Sequence, residues 1–274
     1  MDNYSVLMTV YFNDSPTFLI MAIDSMLKQT KVTNDFVLVL DGELPDSLNE
    51  VIDSYRNKYN VFNILQLPKN VGLGSALNAG LGICKNNLIA RLDADDISLP
   101  NRCELQQKEF ILNSQLVIVG SDMYEFENDD NNCISIKKMP STKKQILRYA
   151  KTRNPFNHST VMFKKDFIIE MGGYSSRRRS QDVELFSKIV FNNYDTMNIN
   201  KPLVKFRMGD SRIIRKKNWE NIISDLSVYK SFYNKKYINL FHYLKVIIMQ
   251  VVFFILPVKL SKFLYSKLIH TKLT

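Results

Sequence analysis

The segment LIARLDADD places three aspartates directly after a short apolar run. Asp93 and Asp95 are separated by one residue, and Asp96 follows at once. Carboxylates gathered at the end of a buried strand need a cation, and such hard oxygen donors suit Mg²⁺ or Mn²⁺ bound together with substrate phosphate. The segment therefore predicts a divalent-cation site for a nucleoside diphosphate. The alternative is an Asx turn with solvated acids, since aspartate is common after strands.

Two further clusters carry groups that could do chemistry. The polar segment Asn154–Thr160 contains His158, which is either a ligand or a structural side chain. Arg177–Arg179 precede a predicted helix whose first turn carries Asp182 and Glu184. Guanidinium groups beside a carboxylate suit a general base next to a phosphate site. The alternative is a capped helix that follows a solvated basic loop.

A glycine-rich segment, KNVGLGSALNAGL, covers Lys69–Leu81. Gly72 and Gly74 match the first two glycines of a dinucleotide fingerprint, but Leu77 stands at the third position, which argues against a dehydrogenase. The sequence also contains no GxxxxGK[ST] loop, which argues against phosphoryl transfer by that machinery. The small residues instead predict a helix that approaches the sheet closely.

Alternating apolar strands and helices must position these groups. The pattern predicts strands over 5–11, 35–41, 63–67 and 88–92, with helices over 17–29, 48–59 and 71–84 between them, and later short strands over 116–120 and 160–163. Continuous apolar strands alternating with helices predict an α/β fold with a mostly parallel sheet covered on both faces. Ligands bind such sheets beyond the carboxyl ends of the strands, where Asp41 and Asp93 stand.

Charge and apolar residues are concentrated at the C-terminus. The chain has a net charge of +10, yet residues 226–274 contain eight lysines and no acid, so that residues 1–225 carry only +2. A nearly neutral body argues against a nucleic-acid-binding protein. Residues 246–258 read VIIMQVVFFILPV, which is shorter than the roughly 20 residues that span a bilayer. Residues 226–274 therefore suit an amphipathic helical segment on an anionic membrane surface, or else a helix packed on the body.

The N-terminal residues and the cysteines predict the cellular location. Residues 1–14 lack the basic region and cleavage site of a signal peptide. The three cysteines match neither a zinc spacing nor a disulfide framework. We therefore expect a cytoplasmic protein that is peripherally attached to the inner face of the plasma membrane.

In this order, the motifs resemble family 2 of the glycosyltransferases, which have the Rossmann-like, nucleotide-sugar-binding GT-A fold. The resemblance runs over residues 5–211 through SVLMTVY, LVLDG, GLGSALN, IARLDADD, NHSTVMF and QDVELF, and is greatest to the O-antigen and exopolysaccharide branch. It implies an inverting, metal-dependent enzyme that moves glucose, galactose or an N-acetyl form from a UDP-sugar to a polyprenyl-diphosphate-linked sugar. It also implies a GT-A domain over 1–225, with a nucleotide-binding half over about 1–100 and an acceptor half over about 101–225.

The resemblance implies donor-binding roles for five residues. Tyr11 and Asp41 would hold the uracil base, with Asp41 accepting from the ring N–H. Lys69 and Arg91 would line the same pocket. Asp93 would face the ribose or the diphosphate.

Catalytic and metal-binding roles are implied in the same way. Asp95, with Asp93, would ligate Mn²⁺ or Mg²⁺, and His158 would be a third ligand or an acceptor contact. Asp182 would be the general base, because Gln181 stands where the family often has a second acid. Basic residues that would clasp a diphosphate are Arg177–Arg179, Arg212, Arg215, Lys216 and Lys217.

Two other functions remain open from the sequence. A metal-dependent nucleotidyltransferase also needs a nucleotide fold and strand-end acids, although this chain has YFNDSP where such enzymes carry a glycine-rich basic loop. A non-enzymatic peripheral membrane protein is compatible with the basic C-terminal segment. A processive synthase is disfavoured, because the chain has no Gln-x-x-Arg-Trp sequence and one short apolar run.

Overall fold

The structure, a computed structural model, describes residues 3–127, 129–208, 218–256 and 270–272. The strands are β1 (Tyr4–Val10), β2 (Asp35–Leu40), β3 (Phe62–Gln66), β4 (Leu88–Arg91), β5 (Ile97–Ser98), β6 (Leu116–Phe126), β7 (Ser135–Lys137), β8 (Met162–Lys164), β9 (Asp195–Arg207) and β10 (His270–Lys272). The α-helices are α1 (Pro16–Leu27), α2 (Asp46–Lys58), α3 (Leu73–Ile83), α4 (Arg102–Leu112), α5 (Lys143–Ala150), α6 (Lys165–Glu170), α7 (Gln181–Phe191), α8 (Trp219–Asn234) and α9 (Leu240–Ile255). A 3₁₀ turn covers His158–Thr160.

One sheet carries the fold, with the strand order β10-β7-β6-β8-β4-β1-β2-β3, while β9 pairs with β6 and β5. The strands β4, β1, β2 and β3 run parallel, so that their carboxyl ends meet at one edge. β8 enters antiparallel between β4 and β6, and β9 runs parallel to β6. The predicted α/β fold with a parallel nucleotide-binding-type sheet is confirmed.

The apolar strands are covered on both faces because successive side chains point to opposite sides of a strand. Met8 of β1 packs in a core with α1 and α2, whereas its neighbour Leu7 packs in a second core with α3 and α7. At Gly80 of α3, an added Cβ would lie 2.5 Å from the Leu7 side chain and 2.7 Å from Val39. The glycine therefore lets α3 lie directly on β1 and β2, as the small-residue segment predicted.

The pairing of β6 with β9 is the main part of the sheet that the sequence pattern did not predict. The predicted strand over 116–120 continues to Phe126. The predicted strand over 160–163 begins only at Met162, because the Thr160 hydroxyl donates to the Asn157 carbonyl at 2.9 Å and stabilises a turn there.

The two C-terminal helices differ in how they contact the body. In α8, Val228, Tyr229 and Phe232 are buried with Val183 and Phe191 of α7. α8 crosses residues 225 and 226 without a break, so the division at that point stays a prediction. α9 buries Val246 and leaves most of its surface exposed. Among the described helices, none combines the length and the apolar character needed to cross a bilayer.

Candidate functional site

Three carboxylates form a tight group beyond the carboxyl end of β4. Within the described chain, Asp93, Asp95 and Asp96 each offer an oxygen, and these oxygens lie within 4.8 Å of one another. Asp93 and Asp95 are partly buried and Asp96 is fully buried. Three hard oxygen donors at this spacing fit a divalent cation such as Mg²⁺ or Mn²⁺.

A serine hydroxyl and backbone groups hold this acid group in place. The Ser159 hydroxyl contacts Asp93 Oδ2 at 2.5 Å and also contacts Asp96 Oδ2. The second oxygen of Asp96 accepts the backbone N–H of Arg207 at 3.0 Å. Because one hydroxyl carries a single proton, it cannot donate to both carboxylates at once. Negative charge is therefore concentrated at this end of β4.

Arg91 lies beneath Asp93 rather than at the surface. Its side chain is 1% exposed, its guanidinium forms an ion pair with Asp93, and Nη1 donates to the Ser159 hydroxyl at 3.2 Å. Below it, the buried Arg102 donates to the carbonyls of Arg91 and Val161, at 2.6 and 3.1 Å. Two buried arginines thus fix the end of β4 and the segment that follows the 3₁₀ turn.

Asp41 organises the loop that precedes α3. Its carboxylate accepts the backbone N–H groups of Val71 and Gly72 at 2.7 and 3.1 Å, and the Asn70 side-chain amide at 3.1 Å. Lys69, in the same loop, is exposed. The end of β2 and the glycine-rich segment therefore lie together at the carboxyl edge of the sheet, as the strand order requires.

The loop after β1 brings a fourth carboxylate towards the acid group. Asp14 Oδ2 accepts the backbone N–H of Tyr11 at 2.9 Å, and the Tyr11 side chain is exposed. Burial raises the pKa of Asp14 to about 7, the Tyr11 N–H opposes this rise, and the charges of Asp95 and Asp93 add to it. Tyr11 and the strand-end acids consequently belong to one side of the site.

Asp182 stands at the first turn of α7, where the sequence predicts a base. Its Oδ2 accepts the side-chain amide of Asn154 at 2.7 Å. Burial raises the pKa of Asp182, while the backbone N–H of Val183 and the charge of Arg91 lower it. A carboxylate with a raised pKa is better matched to proton abstraction near neutral pH than an ordinary aspartate.

Tyr174 lies near both Asp182 and the acid group. The pKa of its hydroxyl is raised by burial, and the charges that act on it are those of Arg91, Asp182 and Asp93. The chain approaches α3 closely here, since a Cβ on Gly74 would lie 2.4 Å from the Ser175 carbonyl oxygen. The structure thus brings the predicted base and the predicted metal ligands around one tyrosine.

His158 faces this tyrosine instead of completing the acid group. Its Nε2 lies 3.1 Å from the Tyr174 hydroxyl, and its ring packs against Tyr174 and Phe186. Burial lowers the pKa of His158, as does Arg91, against the opposite effect of Asp93, so the ring is neutral at pH 7. The acid group among the described residues is made by Asp93, Asp95 and Asp96. Metal ligation by His158 stays a prediction.

The predicted basic residues are only partly described. Arg177 donates to Glu184 at 3.0 Å and to the Ser227 hydroxyl at 2.6 Å, so it joins α7 to α8. A diphosphate-binding role of Arg177 stays a prediction. The other predicted diphosphate contacts Arg212, Arg215, Lys216 and Lys217 lie outside the described residues.

Three groups of this site were missed at the level of sequence, and Asp96 was recognised in the acid cluster without being assigned as a ligand. Asp96 and Ser159 belong to motifs that the sequence singled out, but a motif does not show which side chain turns inward. Asp14 and Asn154 lie in polar loops that contain several similar residues. The contact of Asn154 with Asp182 joins segments 28 positions apart, whereas the contact of Asp14 with Tyr11 closes a local turn.

Sequence comparison identifies the family that has this arrangement. The family model described as "Glycosyl transferase family 2" matches residues 5–223. The chain is a family 2 glycosyltransferase. The matched span runs from β1 into α8 and includes the acid group, Asp41 and Asp182. Among the functions left open by the sequence, the family decides for glycosyl transfer.

Relatives of this family 2 glycosyltransferase align along almost its full length. It is 36% identical over 267 residues to the UDP-Gal:alpha-D-GlcNAc-diphosphoundecaprenol beta-1,3-galactosyltransferase of Escherichia coli, an alignment that covers 97% of this chain and 96% of that protein. It is 32% identical over 264 residues to the amylovoran biosynthesis glycosyltransferase AmsE of Erwinia amylovora, covering 96% and 98% of the two chains.

Solved structures establish the fold of this family 2 glycosyltransferase. S. aureus TarS superposes with a TM-score of 0.59 at 17% sequence identity, over 85% of this chain and 43% of the TarS chain. At this identity the likeness concerns the fold alone. The predicted GT-A fold is confirmed.

Proposed function

We propose that this enzyme transfers a hexose from a UDP-sugar, with inversion, to the sugar of a lipid-linked diphosphate during bacterial O-antigen or capsule assembly. The observation that carries the proposal is the group of Asp93, Asp95 and Asp96 at the carboxyl edge of β4. Such a group suits a cation-bound nucleoside diphosphate. The name of the E. coli relative, which is 36% identical, supports a UDP-hexose donor and a lipid-diphosphate acceptor.

The donor occupies the carboxyl edge of β1, β2 and β4. Tyr11 and Asp41 bind the uridine base, with Lys69 beside them. The backbone contacts of Asp41 support this role indirectly, because they fix the loop that borders this edge. Arg91 acts from below by orienting Asp93, to which it is paired.

Asp93 and Asp95 hold Mn²⁺ or Mg²⁺ in the working enzyme, with Asp96 as the third oxygen donor and His158 as an additional candidate. The fit is supported by three carboxylate oxygens within 4.8 Å of one another. When bound, such a cation offsets the charge of the departing diphosphate. The protein's own contribution is to orient Asp93 and Asp96 through the Ser159 hydroxyl and the Arg207 backbone.

Asp182 acts as the general base. Its carboxylate takes the proton from the acceptor hydroxyl as that oxygen attacks the anomeric carbon from the face opposite the diphosphate, so the configuration inverts. The Asn154 amide donates to Oδ2 of Asp182 at 2.7 Å and so orients this carboxylate. Tyr174 lies near both this base and the acid group, since the charges of Asp182 and Asp93 both act on its hydroxyl.

The enzyme works at the cytoplasmic face of the membrane. Five apolar residues of α9 recur every three or four positions and are between 41% and 73% exposed: Phe241, Leu244, Ile248, Val251 and Ile255. This spacing forms one face of a helix, and basic residues accompany it. An exposed apolar face of this kind suits a helix lying in the head-group region, next to a lipid-linked acceptor.

The direct test is transfer from UDP-glucose, UDP-galactose and their N-acetyl forms to an N-acetylglucosaminyl-diphospho-lipid, with Mn²⁺, measured as UDP release. We expect acceptor-dependent release with at least one donor and a product of inverted anomeric configuration by NMR. UDP release no greater than in the acceptor-free reaction with every donor would refute the proposal.

The base assignment is tested with Asp182→Asn. We expect turnover to fall by about 10²- to 10⁴-fold, the usual contribution of a general base, with UDP binding by calorimetry unchanged. Glu184→Gln is the matched control, because Glu184 lies two residues further along α7, on another face of the helix, and is paired with Arg177. Near-normal turnover of Asp182→Asn would show that another group takes the proton.

A further inference from the structure

An open cavity of about 720 Å³ lies between α5, the loop over 138–141 and α9, and the acid group of β4 does not line it. Among the residues that line it are Lys138, Arg148, Tyr149, Arg153, Asn200 and Lys245. The proposed reaction assigns no role to these side chains. The cavity is large enough for a diphosphate group together with its water.

The charge of this cavity is of one sign. Lys138, Arg148, Arg153 and Lys245 line it, and no aspartate or glutamate does. Within the described part of the chain, none of these four cations forms an ion pair with a carboxylate at 4.0 Å or less. Arg153 lies over the Tyr149 ring, 5.7 Å from its centroid, which limits the orientations of its guanidinium. Four cations that line one cavity favour a multiply charged anion, because its binding offsets their mutual repulsion.

The cavity lies beside the proposed base. Arg153 is followed directly by Asn154, whose amide donates to Asp182 at 2.7 Å. The charges of both Arg153 and Asp182 act on the hydroxyl of Tyr229 in α8, which therefore lies within reach of both side chains. An anion in the cavity is thus close to the point where the acceptor hydroxyl must lose its proton.

The other end of the cavity borders the apolar face of α9. Lys245 lines the cavity, while its neighbour Leu244 is 47% exposed on the apolar face. A lipid-linked diphosphate sugar consists of a hydrocarbon chain, then two phosphates, then the sugar. The apolar face, the cationic cavity and Asp182 follow one another in this same order.

We propose that this cavity binds the diphosphate of the lipid-linked acceptor and so presents the acceptor sugar to Asp182, an inference that rests on the proposed function. The recognised chemistry is a phosphate ester attached to a lipid. An anionic phospholipid head group shares this chemistry, and the experiment separates the two sources.

The test compares two acceptors in detergent micelles, an N-acetylglucosaminyl-diphospho-lipid and an alkyl N-acetylglucosaminide without phosphate. For Arg148→Gln/Lys245→Gln we expect the KM of the diphosphate acceptor to rise about tenfold or more, as the loss of two charged hydrogen bonds implies. The KM values of the alkyl glycoside and of the UDP-sugar stay unchanged. Lys144→Gln/Lys230→Gln, which removes two exposed lysines of α5 and α8 outside the cavity, serves as the charge-matched control.

Sedimentation with phosphatidylglycerol and phosphatidylcholine vesicles forms the second arm. We expect the cavity variant to sediment as its control does. If it instead loses phosphatidylglycerol binding while both acceptor KM values stay unchanged, the cavity binds bulk phospholipid and the proposal is wrong.

Equal KM changes for both acceptors also overturn the proposal. Wild-type enzyme that transfers to neither acceptor refutes the proposed function itself, whereas active enzyme with an unaffected cavity variant refutes only the diphosphate site.

Discussion

Asp14 makes the stability of this enzyme depend on pH. Its pKa rises from 3.8 to about 7 in the folded chain, so the folded state binds a proton more tightly than the unfolded state. The contribution of Asp14 to stability is therefore complete below about pH 4 and is lost as the pH rises to about 7. The full difference corresponds to about 4 kcal/mol, at 1.36 kcal/mol per unit of pKa. Because the side chain is partly exposed, solvent screening reduces it to about 2 kcal/mol.

Asp14→Asn removes this penalty and keeps the loop contact, because an amide oxygen can still accept the Tyr11 N–H. In chelator-treated protein, we expect the variant to match the wild type at about pH 3.5, below the unfolded pKa, and to be about 2 kcal/mol more stable at pH 8, by urea denaturation. Asp14→Ala, which loses the contact to Tyr11, should be less stable than Asp14→Asn at both pH values. An equal difference between Asp14→Asn and wild type at about pH 3.5 and at pH 8 would refute the reasoning.

Three further predictions concern the base, the cation and the helix under the site. Asn154→Ala removes a donor to the Asp182 carboxylate, so the acidic limb of the kcat/KM profile should move up by about one pH unit, and an unmoved limb would contradict the contact. Dialysis against a chelator should abolish UDP release and Mn²⁺ should restore it in the wild type but not in Asp95→Ala; chelator-resistant turnover would exclude a cation at the acid group. Gly80→Ala should destabilise the protein by about 1–3 kcal/mol in urea, because its Cβ meets packed side chains at 2.5 Å. Gly82→Ala, with no atom within 4 Å of its Cβ, should stabilise the same helix by up to about 1 kcal/mol; similar effects at both positions would contradict the packing.

The parallel half of the fold could be predicted because its signal is local. β1, β2 and β4 are continuous apolar runs, and a parallel sheet places the residues that follow them, Asp41 and Asp93 among them, at one edge. The pairing of β9 with β6 could not be predicted in the same way. Its sequence, DTMNINKPLVKFR, mixes polar and apolar residues, and most of its burial comes from a partner about 80 positions earlier in the chain.

The site was predictable in its residue types and less so in its contacts. The acid group could be recognised from the spacing of Asp93 and Asp95, yet the inward position of Asp96 depends on Ser159, which is 63 positions away. Arg91 could be identified as a site residue, but its burial beneath Asp93 could not, because arginine is seldom fully buried. Charge counting had the same limit at the C-terminus. The lysine excess in residues 226–274 gives no indication that Val228 packs α8 against α7.

The buried Arg102 constrains how this enzyme can diversify. Its guanidinium joins the end of β4 to the residue that precedes β8, and these buried contacts form the floor beneath the acid group. Any rearrangement of this floor would expose the Arg102 charge or leave it buried without hydrogen-bond partners. We therefore expect a change of sugar preference to come from the loops around the acid group, such as the loop after β1 and the segment over 174–180, rather than from this floor. Libraries that vary those loops and leave the floor intact should yield folded enzymes with altered donors far more often than libraries aimed at the floor.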